Sequence, residues 1–162
     1  MPRHVGARKT FTRVLGAIGR NDEAAAYFVL ATQPSPRTGK VRYEYALFLA
    51  GNGSLNSTIT EFQTALSHSP KHPEAYYHRG HALYVKGNFK GARRHYEEAA
   101  RLDAKAPVRN SSGVVYMKLR QTSQAIGQFE EEFRLRPDHT EAAENLRYVL
   151  ARIGRSSSSF PQ

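Results

Sequence analysis

The feature that most constrains this chain is a spacing of aromatic residues that recurs along its length. Phe28, Phe62, Tyr96 and Phe129 follow one another at intervals of 34, 34 and 33 residues. A period of this size is typical of arrays in which one supersecondary unit is stacked on copies of itself. The sequence therefore predicts a helical repeat protein.

Small residues recur in the same register as the aromatic ones. Four residues before each aromatic residue stand Ala24, Thr58, Ala92 and Ala125. Sixteen residues before each stand Thr12, Ala46, Gly80 and Gly113. Spacings of three, four and seven residues lie on one face of a helix. We therefore expect two helices per unit that cross closely at the small residues, with the aromatic ring filling the gap.

Turn residues separate these predicted helices. The turns or helix ends are marked by Gly19, Gly53, Gly87 and Gly154. Glycine is favoured there because it adopts positive φ without strain. Three units close with Pro36, Pro70 and Pro137. Proline cannot continue a helix, so these positions predict the boundaries between units.

The unit PEAYYHRGHALYVKGNFKGARRHYEEAARLDA, which starts at Pro73, resembles the tetratricopeptide repeat. The resemblance covers about residues 5–154, with units at 5–38, 39–72, 73–105 and 106–139 and a capping helix at 140–153. It implies an all-α fold, a right-handed superhelical solenoid of antiparallel helix hairpins, as a single domain over residues 1–154. The polar, Ser-rich tail at 155–162 is expected to be disordered.

The chain departs from the family pattern in the third and fourth units. Arg79 and Ser112 stand just before the small residue of the first helix, where the family usually has a large apolar residue. We expect Arg79 to lay its stem along the core with its head in water, or to pair with a carboxylate. The third unit lacks one residue and has Ala104 in place of proline, which predicts an irregularity around 104–108.

Catalytic and metal-binding patterns are missing from the sequence. The chain has no cysteine, which excludes disulfides, thiolate metal sites and cysteine nucleophiles. It contains no phosphate-binding glycine loop or zinc-protease motif. His78 and His81 could share a helical face, but a third ligand is not evident. We therefore expect no enzyme, no cofactor and no metal site, and we interpret the acidic run Glu130–Glu132 as a solvated helix face.

The chain carries a formal net charge of +10, which favours acidic partners. Five basic residues precede the first acid, Asp22: Arg3, Arg8, Lys9, Arg13 and Arg20. Such a segment is typical of a mitochondrial transit peptide. Leu15, however, lies in register with Leu49 of the next unit, which favours the first helix of a packed hairpin. We expect a cytoplasmic protein, with mitochondrial import as the alternative, and no run of about 20 apolar residues predicts a membrane span.

The resemblance also implies a concave groove lined by the first helix of each unit. Carried onto this chain, the groove would be lined by Lys9, Arg13, Lys40, Tyr43, Leu47, Glu74, Tyr77, His81, Tyr84, Asn110, Val114, Met117 and Lys118, with Tyr148 and Arg152 at the far end. Tyrosine offers a large contact area and a polar tip, and the lysines and arginines add positive charge. The groove thus suits a peptide or protein partner with apolar and acidic side chains. Alternatively, the tyrosines pack against neighbouring second helices.

The leading functional interpretation is a protein-interaction scaffold or adaptor. Chaperone-binding members of the family hold a terminal carboxylate with lysine, asparagine and arginine side chains. The matching positions here hold Tyr43, Leu47, His78, Pro107 and Ser111, or one unit earlier Lys9, Arg13, Glu44, Glu74 and His78. Neither set reproduces the clamp, so we expect no binding to chaperone tails. RNA binding through the basic surface and self-association through exposed repeat ends remain alternatives.

Overall fold

The computed structural model describes residues 38–103 and 107–154, together with Glu23, Ala25, Ala26 and Phe28. Within the two continuous ranges the chain forms seven helices and no strand. They are α1 (Thr38–Gly51), α2 (Leu55–His68), α3 (Pro73–Val85), α4 (Phe89–Leu102), α5 (Arg109–Lys118), α6 (Thr122–Leu135) and α7 (Thr140–Arg152).

The helices pack as successive antiparallel hairpins. α1 packs on α2, α3 on α4 and α5 on α6, and each hairpin packs on the helix that follows it. The first helices also meet one another, α1 with α3 and α5 with α7. The predicted all-α solenoid of helix hairpins is confirmed.

The small residues lie where the two helices of a hairpin cross. A Cβ atom added at Gly80 would lie 2.8 Å from the Tyr96 ring, and one added at Gly113 would lie 2.7 Å from Cδ1 and Cζ of Phe129. Real Cβ atoms essentially never approach so closely. The rings of α4 and α6 therefore rest directly on the glycine backbone of α3 and α5, as the register predicts.

The repeating aromatic residues form the centre of the core. Phe62, Tyr96 and Phe129 are each 1% exposed, and each belongs to a separate cluster that joins one hairpin to the next helix. Phe28 is also buried and stacks on Tyr45, with ring centroids 5.0 Å apart. Burial of such a side chain contributes about 1.5–3 kcal/mol, so the periodic rings are a main source of stability.

Positive φ angles mark the turns that close the hairpins. Gly53, Gly87 and Gly154 have φ of 73°, 82° and 71°, as predicted. The equivalent place after α5 is taken by Arg120, with φ of 60°. A left-handed conformation costs a residue with a Cβ about 1–2 kcal/mol, so this turn is strained where its counterparts are not.

One expectation about the acidic run is wrong. Glu132 is fully buried, whereas Glu130 is exposed. Glu132 takes the small-residue position held by Ala65 in α2, which faces the interior of the stack. Its Oε1 atom lies 2.5 Å from Arg136 Nη2 and 2.6 Å from His139 Nδ1. A buried carboxylate needs such partners, because burying an unpaired charge is very costly.

Arg79 has a different partner from the predicted carboxylate. Its guanidinium donates a hydrogen bond through Nη2 to Gln63 Oε1 of α2, and burial lowers its pKa. Its Nε atom is buried without a hydrogen-bond acceptor among the described residues, so the head is not simply in water. Ser112, the other unusual residue, is 6% exposed and tolerates burial as a small side chain.

Several expectations fall outside the described residues. They concern Lys9, Arg13, Gly19, the transit-peptide alternative and the tail at 155–162. The irregularity expected at 104–108 falls partly on 104–106, which are also outside, but α5 begins late, at Arg109, and has ten residues. The unit boundaries and the single domain stay predictions. In the part of the chain that is described, no helix combines the length and apolar character needed to cross a membrane.

Candidate groove on the face of the first helices

Three adjoining cavities lie along the face formed by α1, α3, α5 and α7. We call them the apolar pocket, of about 270 Å³, the central pocket, of about 170 Å³, and the basic basin, of about 740 Å³. His81 borders both the apolar and the central pocket, and Val114 borders both the central pocket and the basin. The three cavities therefore adjoin one another along this face, and together we call them the groove.

The apolar pocket lies between α1, α2 and α3. Its lining is formed by Leu47, Ala50, Gly53, Leu55, Thr58, Phe62, His78, His81, Ala82 and Val85. Val85, the last residue of α3, is 59% exposed. The pocket thus offers carbon surface, open to solvent, that an apolar side chain of a partner could cover.

A group of aromatic and imidazole rings flanks the apolar pocket. The Tyr43 ring lies 4.5 Å from the His72 ring and 6.0 Å from the His78 ring, between centroids. Burial raises the pKa of Tyr43, with a further contribution from Glu74. Burial, followed by the neighbouring His81, lowers the pKa of His78. The Tyr43 phenol and the His78 imidazole are therefore neutral near pH 7, whereas Glu74, which lies 3.0 Å from His72 Nδ1, adds an exposed carboxylate beside these rings.

Tyr77 and Tyr84 are half-buried against the second helix of their own hairpin. The ring of Tyr77 lies 5.7 Å from that of Tyr96, and the ring of Tyr84 lies 5.7 Å from that of Phe89. The alternative interpretation, that these tyrosines pack against second helices, therefore describes them well. Tyr84 still contributes to the central pocket, whereas Tyr77 supports the groove from beneath.

The central pocket joins α3, α5 and α7 and is more polar. It is lined by His81, Tyr84, Tyr96, Asn110, Ser111, Val114 and Glu141. Asn110 is 8% exposed, and its Oδ1 accepts a hydrogen bond of 3.0 Å from Asn145 Nδ2 of α7. This bond holds α5 and α7 together at the floor of the groove and fixes the orientation of the Asn110 amide.

The basic basin lies between α5, the turn after it and α7. Its walls are formed by Val114, Met117, Lys118, Arg120, Thr122, Phe129, Asn145, Tyr148, Val149 and Arg152. Arg152 Nη1 donates a 2.8 Å hydrogen bond to Tyr148 Oη, and its guanidinium carbon lies 5.6 Å from the Tyr148 ring centroid. Tyrosine thus holds one cation in place beside an apolar floor.

The three cations of the basin differ from most arginines of the second helices. Arg93, Arg101, Arg134 and Arg136 each pair with a glutamate of the chain. Across residues 38–103 and 107–154, no carboxylate pairs with Lys118, Arg120 or Arg152. No acidic residue of the described ranges lines the basin. Within the described part of the chain, this end of the groove therefore carries positive charge without a paired carboxylate.

The structure brings most of the predicted groove residues together. The cavities are lined by Leu47, His81, Tyr84, Asn110, Val114, Met117 and Lys118, with Tyr148 and Arg152 at the far end. Tyr43 and Tyr77 support the walls. Lys40 is exposed near the start of α1 and borders none of the three cavities, and Lys9 and Arg13 lie outside the described residues.

Val85 and Arg120 are among the groove residues that sequence reasoning missed. Arg120 stands 33 residues after the turn glycine Gly87, and this break in the glycine series was the signal that could have found it. Among the described residues no cluster of three or more histidine, aspartate or glutamate side chains could hold a metal ion. The groove thus offers contact surface and charge.

Comparison with known proteins agrees with this architecture. Solved structures with the same fold include MamA (41-end) from Desulfovibrio magneticus RS-1, at TM-score 0.81, with 20% identity over 95% of this chain and 88% of that one. YrrB, described as a TPR protein with an unusual peptide-binding site, matches at TM-score 0.78, with 17% identity over 93% and 78%. The first TPR of Spaghetti (RPAP3), bound to the HSP90 peptide SRMEEVD, matches at TM-score 0.70, with 18% identity over 74% and 96%.

At the level of sequence, no curated protein is significantly similar to the chain. The tetratricopeptide repeat family, however, matches residues 73–106, the stretch that contains α3 and α4. Residues 73–106 are thus similar to a tetratricopeptide repeat, and the stacked hairpins of the described chain share the fold of solved structures such as MamA and the TPR protein YrrB.

Proposed function

We propose that this protein is a non-catalytic scaffold or adaptor that binds an extended segment of a partner protein in the groove. The observation that carries the proposal is the row of three adjoining cavities, which share His81 and Val114 as borders. A row of cavities with an apolar pocket at one end and positive charge at the other suits an extended peptide that carries an apolar and an acidic side chain.

The exposure of individual side chains supports the same proposal. Val85 and Tyr148 are 59% and 57% exposed, and both border the groove. Large apolar and aromatic side chains that stay partly open to water are typical of surfaces that a partner covers. Two proteins of the same fold are described with peptides or a peptide-binding site, which adds support from outside the chain.

Other expectations remain part of the proposal. The positions of the chaperone-tail clamp hold side chains such as His78, which is half-buried among other rings, so we expect no such binding. A cytoplasmic location, with mitochondrial import as the alternative, stays an expectation from the sequence. The apolar lining of the pocket between α1 and α3 favours a peptide over RNA as the ligand of the groove.

A matched pair of variants tests the proposal. A phage-displayed library of random 12-residue peptides is selected on the wild-type protein, and the enriched peptides are then measured with Val85→Glu and Leu135→Glu. Both residues are exposed and apolar, at 59% and 47%, but Leu135 borders none of the cavities. We expect Val85→Glu to weaken binding at least about tenfold, a change of about 1.4 kcal/mol, and Leu135→Glu to leave it unchanged.

The opposite pattern would reject the groove as the binding site. If the enriched peptides bind both variants equally well, they contact another surface. Circular dichroism of both variants confirms that each is folded before the affinities are compared.

A further inference from the structure

We infer that the basic basin binds a carboxylate of the partner segment, and that this contact sets the direction and register of the segment in the groove. The inference rests on the proposed function and adds to it the chemistry of the ligand. It places an acidic group between α5 and α7 and an apolar side chain in the pocket between α1 and α3.

The cations of the basin have no carboxylate partner within the described chain. Lys118, Arg120 and Arg152 surround one cavity of about 740 Å³, and no carboxylate of the described chain pairs with them. Elsewhere the fold readily supplies partners, for example Glu131 for Arg134 at 2.7 Å. Three like charges around one cavity repel each other, and a carboxylate ligand removes that repulsion.

The backbone conformation of Arg120 also points to a function for its side chain. At this place in the other turns the chain has Gly53, Gly87 and Gly154, all with positive φ. Arginine at φ 60° costs stability that glycine would not. Strained residues of this kind are concentrated at functional sites, where the side chain repays the cost. The Arg120 side chain borders the basin, so binding a ligand there is the function that offsets this loss of stability.

The three cations of the basin are two arginines and one lysine. Arginine presents a planar set of N–H donors that matches a carboxylate in a bidentate manner, and lysine adds a compact charge. Tyr148 accepts one N–H of Arg152 at 2.8 Å, which limits the freedom of that guanidinium and leaves its other donors available. The basin is thus suited to a carboxylate.

The spacing of the cavities predicts a register. Packed helices are about 8–10 Å apart, so two steps along the first helices, from the apolar pocket to the basin, span about 20 Å. An extended chain advances about 3.3 Å per residue. The apolar and acidic residues of a bound segment should therefore be separated by about six residues along an extended chain.

The test uses the selected 12-residue peptides as the probe and two double variants as receptors. Lys118→Gln/Arg152→Gln removes two exposed charges from the basin. Lys90→Gln/Arg94→Gln removes the same two charge types from exposed positions of α4 that border none of the cavities. Dissociation constants are measured by fluorescence anisotropy, with each peptide prepared in four forms: unchanged, with Glu and Asp replaced by Gln and Asn, with an amidated C-terminus, and with both changes.

We expect the selected peptides to be enriched in Asp or Glu about six residues from an apolar residue. The basin variant should bind them about tenfold more weakly, and the α4 variant within about twofold of wild type. A loss on Glu→Gln replacement identifies a side-chain carboxylate, and a loss on amidation identifies the terminal one. Either result supports the inference.

Other outcomes would overturn it, and they separate it from the broader proposal. One outcome is that Val85→Glu weakens binding, while the neutral peptides bind as tightly as the unchanged ones and the basin variant binds as tightly as the wild type. That outcome supports the groove and rejects the carboxylate site. If Val85→Glu does not weaken binding either, both the groove and the carboxylate site are rejected. If a 12-nucleotide poly(U) RNA binds the basin more tightly than every acidic peptide, the ligand class assigned here is wrong.

Discussion

Because Gly113 of α5 lies in close contact with Phe129 of α6, replacing glycine by alanine should change the stability of the protein in opposite directions at two sites. In the variant Gly113→Ala, the new methyl group lies 2.7 Å from Cδ1 and Cζ of Phe129. Gly127 offers the matched control, because it lies inside α6, is exposed, and a Cβ there meets no atom within 4 Å. The two variants make the same chemical change in a helix but differ in the space around it.

The magnitudes follow from two terms. Replacing glycine by alanine inside a helix stabilises by about 1 kcal/mol, and this gain applies at both sites. At Gly113 the overpacking cost of about 1–3 kcal/mol is added, and it falls in the upper part of that range because the buried Phe129 ring, 1% exposed, already rests on the glycine backbone. We expect Gly127→Ala to stabilise by about 1 kcal/mol and Gly113→Ala to destabilise by about 1–2 kcal/mol.

Thermal and urea unfolding followed by circular dichroism at 222 nm measures both variants beside the wild type. A difference of about 2–3 kcal/mol corresponds to melting temperatures about 4–12 °C apart for a chain of this size. If Gly113→Ala is as stable as Gly127→Ala, the helices of this hairpin do not cross on the glycine, and the explanation of the repeating small residues is wrong.

Three further predictions concern the strained turn, the buried carboxylate and the histidines. Arg120→Gly should raise the free energy of unfolding by about 1 kcal/mol, measured in urea, while it weakens peptide binding; a loss of stability would show that the turn is not strained. Arg136→Ala should lower stability by about 2 kcal/mol, since the side chain is 43% exposed and the pair is only partly buried. Adding Glu132→Ala should recover part of this loss in the same assay, because Ala65 and Ala99 hold the equivalent positions, and no recovery would contradict the role assigned to the charge. Burial lowers the pKa of His78 and His95 below 6.5, so the folded state binds fewer protons than the unfolded one. The contribution of these two groups to the free energy of unfolding should be fully present above about pH 6.5 and be lost as the pH falls through their lowered pKa values. The urea midpoints at pH 7.5 and 5.5 should therefore differ less in His78→Gln/His95→Gln than in the wild type.

Periodic positions were predictable because each is fixed by a contact that recurs in every unit. The register of Phe62, Tyr96 and Phe129 identifies the core, and the small residues opposite them identify the helix crossing. The turn glycines follow for the same reason, since one backbone geometry recurs at each turn. The same register predicts which first-helix residues face the groove, such as Leu47, His81 and Val114, because the exposed face of a first helix is determined once its buried face is known.

What the sequence could not predict depends on the contacts of single residues. The burial of Glu132 depends on contacts with Arg136 and His139, which lie four and seven residues further along the chain and fold back on it. The approach of Arg79 to Gln63 depends on the packing of α3 against α2, which a sequence pattern does not specify. Whether a tyrosine faces the groove or its own hairpin, as with Tyr77, is decided by side-chain orientation and therefore needed the structure.

The central claim is that a peptide lies along the first helices, and NMR measures this most directly. A ¹⁵N-labelled sample is titrated with one selected peptide, and the backbone amide shifts are mapped onto the helices. The account predicts that the largest changes fall on groove positions of α3, α5 and α7, including Val85, Val114 and Tyr148. Changes concentrated on the exposed faces of α2, α4 and α6, with the groove positions unmoved, would contradict it.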